Sequence, residues 1–544
     1  MLSNKKTWWT VSAVVVALIV GIVIGNILSV KSFGRKLFIT PRNKINVILD
    51  IINEDYVDPI NMKDISEGAI FNIVNELDPH SMYIPISDLQ EVNSNLDGYF
   101  NGIGVNFYHY KDTIVVVNVQ YGGPSSQAGL MPGDRIIKVN DSLFVGSHIT
   151  DEIVMKTMRG AKGSSVKLHV QRKDADSLLI YTIKRDQIPL TTVKAAYEVA
   201  PGIGYIKVYD KFSHTTHDEF VQAMTKLIAQ GCHSFILDLR SNSGGSYDAA
   251  IQIINEFLPV GMPIVYAEGK SFPRQESISD GSGNLPDKEI VVLIDQFSAS
   301  ASEIIAGAIQ DNDRGLIIGR RSFGKGLVQN QKELSDGSAL RLTIARYYTP
   351  SGRNIQRKYE LGKSSEYNQD WLHQLSNGEV FHADSIKMDT TNIYHTRNGR
   401  TVYGNGGIMP DIFVPLDTAH LTPYYVQAEN KSLFEQFAFE YIENNRSHLS
   451  SFKDYTSMLD YLKTQPLFSE FIYYAEQHGL KRRTAQIYRS SSQLILTIYA
   501  RIIQNFFGEE AFFRIYLTND PMITQAIKSI QRGEATQQAI VERK

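Results

Sequence analysis

The sequence predicts an α/β protein of several domains: an α/β sheet core, a smaller strand-rich module ahead of it, and helical segments at both ends. Three observations predict this. Residues 190–415 alternate short apolar runs with stretches of helical periodicity, the signature of a sheet packed against helices. Residues 98–185 hold only short strand-like runs separated by Gly-rich turns. Residues 41–92 and 420–544 show apolar residues at helical spacing. The length of 544 residues agrees, since roughly 100–200 residues per domain implies about three to five domains.

The first element is an apolar run from Trp8 to Val30, interrupted only by Thr10, Ser12, Asn26 and Ser29. About 20 helical residues cross a hydrocarbon core, so residues 8–30 are expected to form a transmembrane anchor. Lys5 and Lys6 precede the run, Lys31, Arg35 and Lys36 follow it, and Trp8 and Trp9 sit where interfacial aromatics belong. A cleaved signal peptide is the competing reading; against it, the run is long and no clear A-x-A site follows. A lipoprotein is excluded because no cysteine follows the run. A short N-terminus before a large remainder favours a single-pass arrangement with the N-terminus inside, so residues from about 40 onward are expected to lie outside the cytoplasm.

The rest divides into an N-terminal helical segment over 41–97, a strand-rich module over 98–185, the core over 186–418 and a helical C-terminal region over 419–544. In the first, Ile45, Ile48, Leu49 and Ile52, then Ile70, Ile73, Val74 and Leu77, recur at helical spacing until Asp78-Pro79 breaks the pattern. The module carries runs at Thr113–Val119, Arg135–Val139, Val166–Gln171 and Leu178–Ile183. The core reads as strands at Gly204–Val208, Ser234–Leu239, Glu289–Ile294 and Gly315–Ile318. Helices fall near Thr216–Gln230, Tyr247–Phe257 and Ala301–Asp311. The aromatics of the C-terminal region are expected to be core rather than a ligand box.

Composition excludes several function classes. Lys plus Arg is 55 and Asp plus Glu 58, for a net charge of −3, so no global basic excess exists to grip nucleic acid. The single cysteine, Cys232, excludes an intramolecular disulfide framework and Cys-ligated metal clusters. No H-E-x-x-H motif occurs, and no metal or organic cofactor is expected.

The chemistry concentrates in three segments. Asp295–Asp311, DQFSASASEIIAGAIQD, places small residues between the end of a strand and the start of a helix. A serine there presents its hydroxyl at a helix N-terminus, where backbone N–H groups and the dipole favour developing negative charge. Ser300 with Glu303 also reads as a capping box, which needs no chemistry. Gly319–Gln329, GRRSFGKGLVQ, matches G-x-x-x-x-G-K, but Gly326 stands where a phosphate loop needs Ser or Thr, and strands rather than a helix follow. Packed among glycines and apolar residues, Lys325 would have a lowered pKa and serve as a general base. In an extended segment Lys325, Leu327 and Gln329 share a face, so Gln329 could orient the amine. No histidine lies between His233 and His373, which makes a Ser–Lys dyad more economical than a Ser-His-Asp triad. The third segment, Leu239–Gly245, LRSNSGG, follows a strand and precedes a helix. It is either an anion-holding backbone loop or a plain strand-to-helix turn.

Together the SASASEI-x-AGA-x-QD, R-x-x-FGKG-x-VQ and LRSNSGG blocks resemble the C-terminal processing peptidases, or tail-specific proteases. The resemblance covers roughly residues 41–415, including LDPHSMYI at Leu77–Ile84 and GGIMPDIFVP at Gly406–Pro415, and thins over 420–544. It implies a ClpP/crotonase-like α/β core with a PDZ domain over 98–185, permuted in strand order. By motif it implies Ser300 as nucleophile, chosen over Ser298 and Ser302, Lys325 as general base and Gln329 as its support. The oxyanion hole would be Ala301 with Gly245, or Gly244 in its place. Gly102, Ile103, Gly104 and Val105 resemble the carboxylate-binding loop of a PDZ domain, and Gln127–Asp134 its AG-L-x-x-GD element. Arg159, in an Arg-Gly pair, would couple that domain to the protease, or be a surface arginine. The implied partners are protein substrates held by their C-terminal tails. The 419–544 region is open to use as a substrate cap, a homo-oligomer contact or an adaptor surface. The rival reading is a catalytically inactive PDZ scaffold in the envelope.

Overall fold

The computed structural model describes residues 9, 13–22, 44–110, 112–173, 175–386, 389–418, 420–536 and 539–540. About half of the expected anchor over 8–30 therefore lies outside the described residues. Residues 9 and 13–22 are helical and exposed, and among the described residues no helix is long and apolar enough to cross a membrane. Residues up to Leu77 form one unit and Asp78 onward another. The first unit contains helices Lys44–Asp55 and Met62–Asn75, the latter started by the Asn61 side chain accepting the Lys63 N–H.

The second unit is organised by a six-stranded sheet. Its order is Val193–Ala200, Ile203–Val208, Ser234–Asp238, Glu289–Ile294, Leu316–Gly319 and Ile412–Phe413. The first pair is antiparallel and every later pair parallel. The strands are apolar on both faces, as a doubly covered parallel sheet requires. Phe235, Leu237, Val292, Ile294 and Ile317 pack against helices Thr216–Ala229, Tyr247–Asn255 and Ala301–Asp311. Their neighbours Ile236, Val291, Leu293, Leu316 and Ile318 face the opposite way, into the C-terminal helices. That region supplies Tyr424, Phe434, Phe437, Phe471 and Phe513 to the same cluster, so its aromatics are core. Cys232 is buried with the helical face beside the strand Ser234–Asp238.

A second, antiparallel sheet joins Met82–Ile84, Leu327–Glu333, Ala339–Tyr348, Pro263–Gly269 and Phe272–Ile278. Met82–Ile84 places a short strand within the segment read as helical over 41–97, just after the Asp78-Pro79 break. Residues 86–97 are helical, but Tyr83 and Ile84 are buried by pairing with Leu340 and Ala339, a tertiary contact that local periodicity cannot report.

The module over 98–185 is a sheet in the order Val105–Tyr110, Thr113–Val119, Arg135–Val139, Ser165–Gln171, Leu179–Lys184, with helices Pro124–Ala128 and Asp151–Met158. Val166, Leu168 and Val170 alternate into its core with Ile114, Val116 and Ile136, the period-two pattern of a half-buried sheet. Val105–Tyr110 is an edge strand of this sheet. A ribbon of Tyr99–Gly102 with Asp186–Pro189 closes the module where the chain enters and leaves it.

Candidate active site

A cavity of about 900 Å³ opens where the two sheets meet. Ser300, Ala301, Gly244, Gly245, Lys325 and Gln329 all line it, with apolar walls from Met82, Val92, Leu96, Ile304 and Leu327.

The turn before Ser300 is built by side chains. Ser298 Oγ accepts the Asp295 N–H (2.9 Å) and donates to the Leu239 carbonyl (2.9 Å). Ser302 Oγ donates to Asn242 Oδ1 (3.0 Å). Both of these serines are fully buried and structural, whereas Ser300 is partly exposed into the cavity. Its backbone sits at φ 54°, ψ −111°, a region strained for any L-residue, as the N-cap of helix Ala301–Asp311. The Ala301 N–H is the first of that helix's unsatisfied donors.

Glu303 holds this geometry. Its buried carboxylate accepts N–H groups from Ser300 (2.8 Å), Gly324 (2.7 Å) and Lys325 (2.8 Å), and the Ser322 hydroxyl (2.5 Å). Burial pushes its pKa up against these four hydrogen bonds. The capping box read from sequence is thus half of a clasp joining the serine loop to the lysine loop. Tyr347 is a second clasp, its hydroxyl donating toward the carbonyls of Ser300 (3.1 Å) and Lys325 (2.6 Å). Sequence reasoning missed Tyr347, which carries no local motif.

Lys325 precedes the strand Leu327–Glu333, and a bulge falls between Val328 and Gln329. Simple alternation is therefore not what brings the two side chains together, yet Nζ donates to Gln329 Oε1 at 3.1 Å. The amide is oriented by its other end, which donates to the His80 carbonyl. His80 lies in the LDPHSMYI segment, so that segment meets the site through backbone. Burial, with Arg341 as the next cause, lowers the Lys325 pKa to about 8. Burial and the Lys325 charge hold His80 down to about 3, so it is neutral beside the amine. No hydrogen bond joins Ser300 Oγ to Lys325 Nζ among the described residues; catalytic hydrogen bonds often tighten only with substrate bound.

The LRSNSGG segment forms a short strand, Asn242–Gly245, paired with Asp210–Phe212, before helix Tyr247–Asn255. A Cβ on Gly244 would come within 2.6 Å of Ser300 Cβ, and one on Gly245 within 2.1 Å of the Phe212 carbonyl oxygen, so both positions need glycine. The Gly244 N–H is taken by Asn242 Oδ1 (3.0 Å), which favours Gly245 of the two as an oxyanion donor.

In the module, Gly104 has φ 73°, and the Ile103 and Gly104 carbonyls accept the Ser125 and Gln120 N–H groups. This loop leads directly into the edge strand Val105–Tyr110. Arg159 caps the end of helix Asp151–Met158; its guanidinium lies 4.9 Å from the Phe100 ring centroid and 3.9 Å from Glu91 Oε1. Glu91 belongs to helix Ile86–Asp97, whose Val92, Asn93 and Leu96 line the cavity.

The family model described as "Peptidase family S41" matches residues 202–363, a PDZ domain model residues 101–180, and a family of unknown function (DUF8443) residues 424–508. A "Probable CtpA-like serine protease" of Staphylococcus aureus (strain MRSA252) is 35% identical over 318 residues, 58% of this chain and 63% of that protein. Its counterpart from Staphylococcus haemolyticus (strain JCSC1435) is 33% identical over 317 residues, 58% of this chain and 62% of that protein. The matched stretch thus spans less than two thirds of these relatives' length. Among solved structures, a photosystem II D1 C-terminal processing protease aligns at 23% identity over 69% of this chain and 87% of its own, with a TM-score of 0.35.

Proposed function

We propose that this chain, whose residues 202–363 match the peptidase family S41 model and whose residues 101–180 match a PDZ domain model, is a serine endopeptidase working through a Ser300–Lys325 dyad. One observation carries the reading. A partly buried lysine with its pKa lowered to about 8 shares a cavity, and a common Glu303 clasp, with the one serine of SASAS that faces that cavity.

The arrangement supports the following chemistry. A neutral Lys325 amine keeps one N–H on Gln329 Oε1 and turns its lone pair to the Ser300 hydroxyl. The Ser300 proton passes to Nζ as Oγ attacks the peptide carbonyl. The oxyanion is held by the Ala301 N–H at the helix N-terminus and the Gly245 N–H. The lysinium then protonates the leaving amine, and the acyl-enzyme remains. Lys325 then takes a proton from water as it attacks the ester, and the lysinium returns that proton to Ser300 Oγ as the ester C–O bond breaks and the acid product leaves.

The PDZ domain would present the substrate. Its Gly102–Val105 loop opens onto an edge strand, the arrangement that captures a chain terminus by strand addition. Arg159 would relay that capture through Glu91 to the helix lining the cavity. Residues 8–30 would anchor the protein, with the catalytic part outside the cytoplasm.

The test is cleavage of an unfolded protein with an apolar C-terminus. Ser300→Ala and Lys325→Ala should each lose about 10⁴-fold or more in kcat with an unchanged fold. Cleavage equal to that of an active parent by both would end the dyad reading, whereas a parent that cleaves nothing would favour an inactive scaffold.

A further inference from the structure

Helix Pro521–Gln531 lies outside the three matched families, yet it packs against the strands that lead into the site. Met522, Ile523, Ala526 and Ile530 bury against the face formed by Val291, Leu293, Leu316 and Ile318. The residue before this helix, Asp520, divides its carboxylate between two tasks. Oδ1 caps the helix by accepting the Met522 (2.9 Å) and Ile523 (3.0 Å) N–H groups. Oδ2 pairs with Arg240 Nη1 at 2.7 Å.

Arg240 is the residue from which the LRSNSGG segment turns. Its N–H and guanidinium also go to Asp238, and its carbonyl accepts Lys207 Nζ (2.6 Å). Lys207 Nζ is itself 3.0 Å from Asp238 Oδ1. Within this set the two cations are balanced by two carboxylates, with Asp295 and Arg320 flanking it. Next, Ser241 takes φ 55° with its N–H on Asp295 Oδ1 (3.0 Å), and Asn242–Gly245 follows. Removing the Asp520 charge leaves two cations against one carboxylate in a buried setting, and the guanidinium no longer has two fixed partners.

We propose that Asp520 is a positioning residue: through Arg240 it fixes the strand that offers the Gly245 N–H to the oxyanion. The proposal rests on the peptidase reading above. It assigns the C-terminal helical region a part in the chemistry as well as in burial.

The dual use of the carboxylate gives a clean test in the full-length protein. Asp520→Asn keeps a good helix cap and removes the charge facing Arg240; Asp520→Glu keeps the charge. Rates are measured on the unfolded tail-bearing protein and normalised to sites titrated with a fluorophosphonate. Asp520→Asn should lower kcat about tenfold with KM within about twofold, and Asp520→Glu should recover most of the loss. A kcat for Asp520→Asn within about twofold of the parent, or a loss confined to KM or to the number of titratable sites, overturns the proposal while Ser300→Ala stays inactive. A fully active Ser300→Ala would instead overturn the Ser300–Lys325 dyad on which the proposal rests.

Discussion

The two faces of the central sheet are equally apolar and equally buried, but only one of them announces a function. On the first face, helix Ala301–Asp311 starts at the carboxyl end of strand Glu289–Ile294, and its N-terminus opens into the cavity. On the second, the C-terminal helices fill space with Phe434, Phe437, Phe471 and Leu494. A helix that presents its N-terminus to a cavity constrains small residues, a cap and glycines at fixed spacing, and these read as motifs. A helix that presents its side constrains only size and apolarity, which many sequences satisfy. The difference teaches why 295–329 could be assigned residue by residue while 419–544 could be assigned only as helical core.

The largest effect expected on the second face is therefore on stability. Phe434 is fully buried and stacks on Phe471 with ring centroids 4.7 Å apart. Phe434→Ala should cost about 3–5 kcal/mol in denaturant unfolding, while kcat per folded molecule stays within about twofold. A collapse of kcat in the folded fraction would break the comparison, because it would make burial on the second face part of the chemistry at many positions and not through Asp520 alone.

On the first face the same logic predicts loss of rate with little loss of stability. Gln329 touches the amine on one side and the His80 carbonyl on the other. Gln329→Ala should lower kcat about tenfold, since the lysine loses the acceptor that aims its lone pair, with a thermal midpoint within a few degrees of the parent. Equal kcat would show that the protein backbone alone orients Lys325.

What was legible follows the same division. Helix Ala301–Asp311 and strand Glu289–Ile294 have the bounds that the sequence pattern predicted, because strong periodicity and a cap fall together there. Strands Met82–Ile84 and Val105–Tyr110 were not predicted. One has three residues and takes its identity from a partner more than 250 positions away, and the other is an edge strand of mixed polarity. Glu303 was read as a cap, and its second role came from three donors that lie about twenty residues along the chain. Asp520 and Tyr347 act across even longer separations, with no spacing that a motif could record.

The smallest effect concerns pH, and it probes how far the first face sets its own base. The Lys325 pKa is lowered from 10.5 to about 8, by burial first and then by the Arg341 charge. The base must be neutral to act, so kcat/KM should rise with pH to a plateau, with a midpoint near 8. Neutral His80 adds no limb between pH 5 and 8, since its pKa is held down to about 3. The same shift bears on stability. Between about 8 and 10.5 the unfolded chain binds the lysine proton and the folded chain does not, so stability rises with pH through that window, and the cost of burying the charged amine is fully present below it. Arg341 lines the cavity, and its positive charge disfavours the lysinium. Arg341→Gln removes that repulsion, so the lysine should hold its proton longer and the midpoint should move to higher pH, with the plateau kcat little changed. A midpoint that stays in place or falls would mean that burial by the cavity walls, without the neighbouring charge, sets the base.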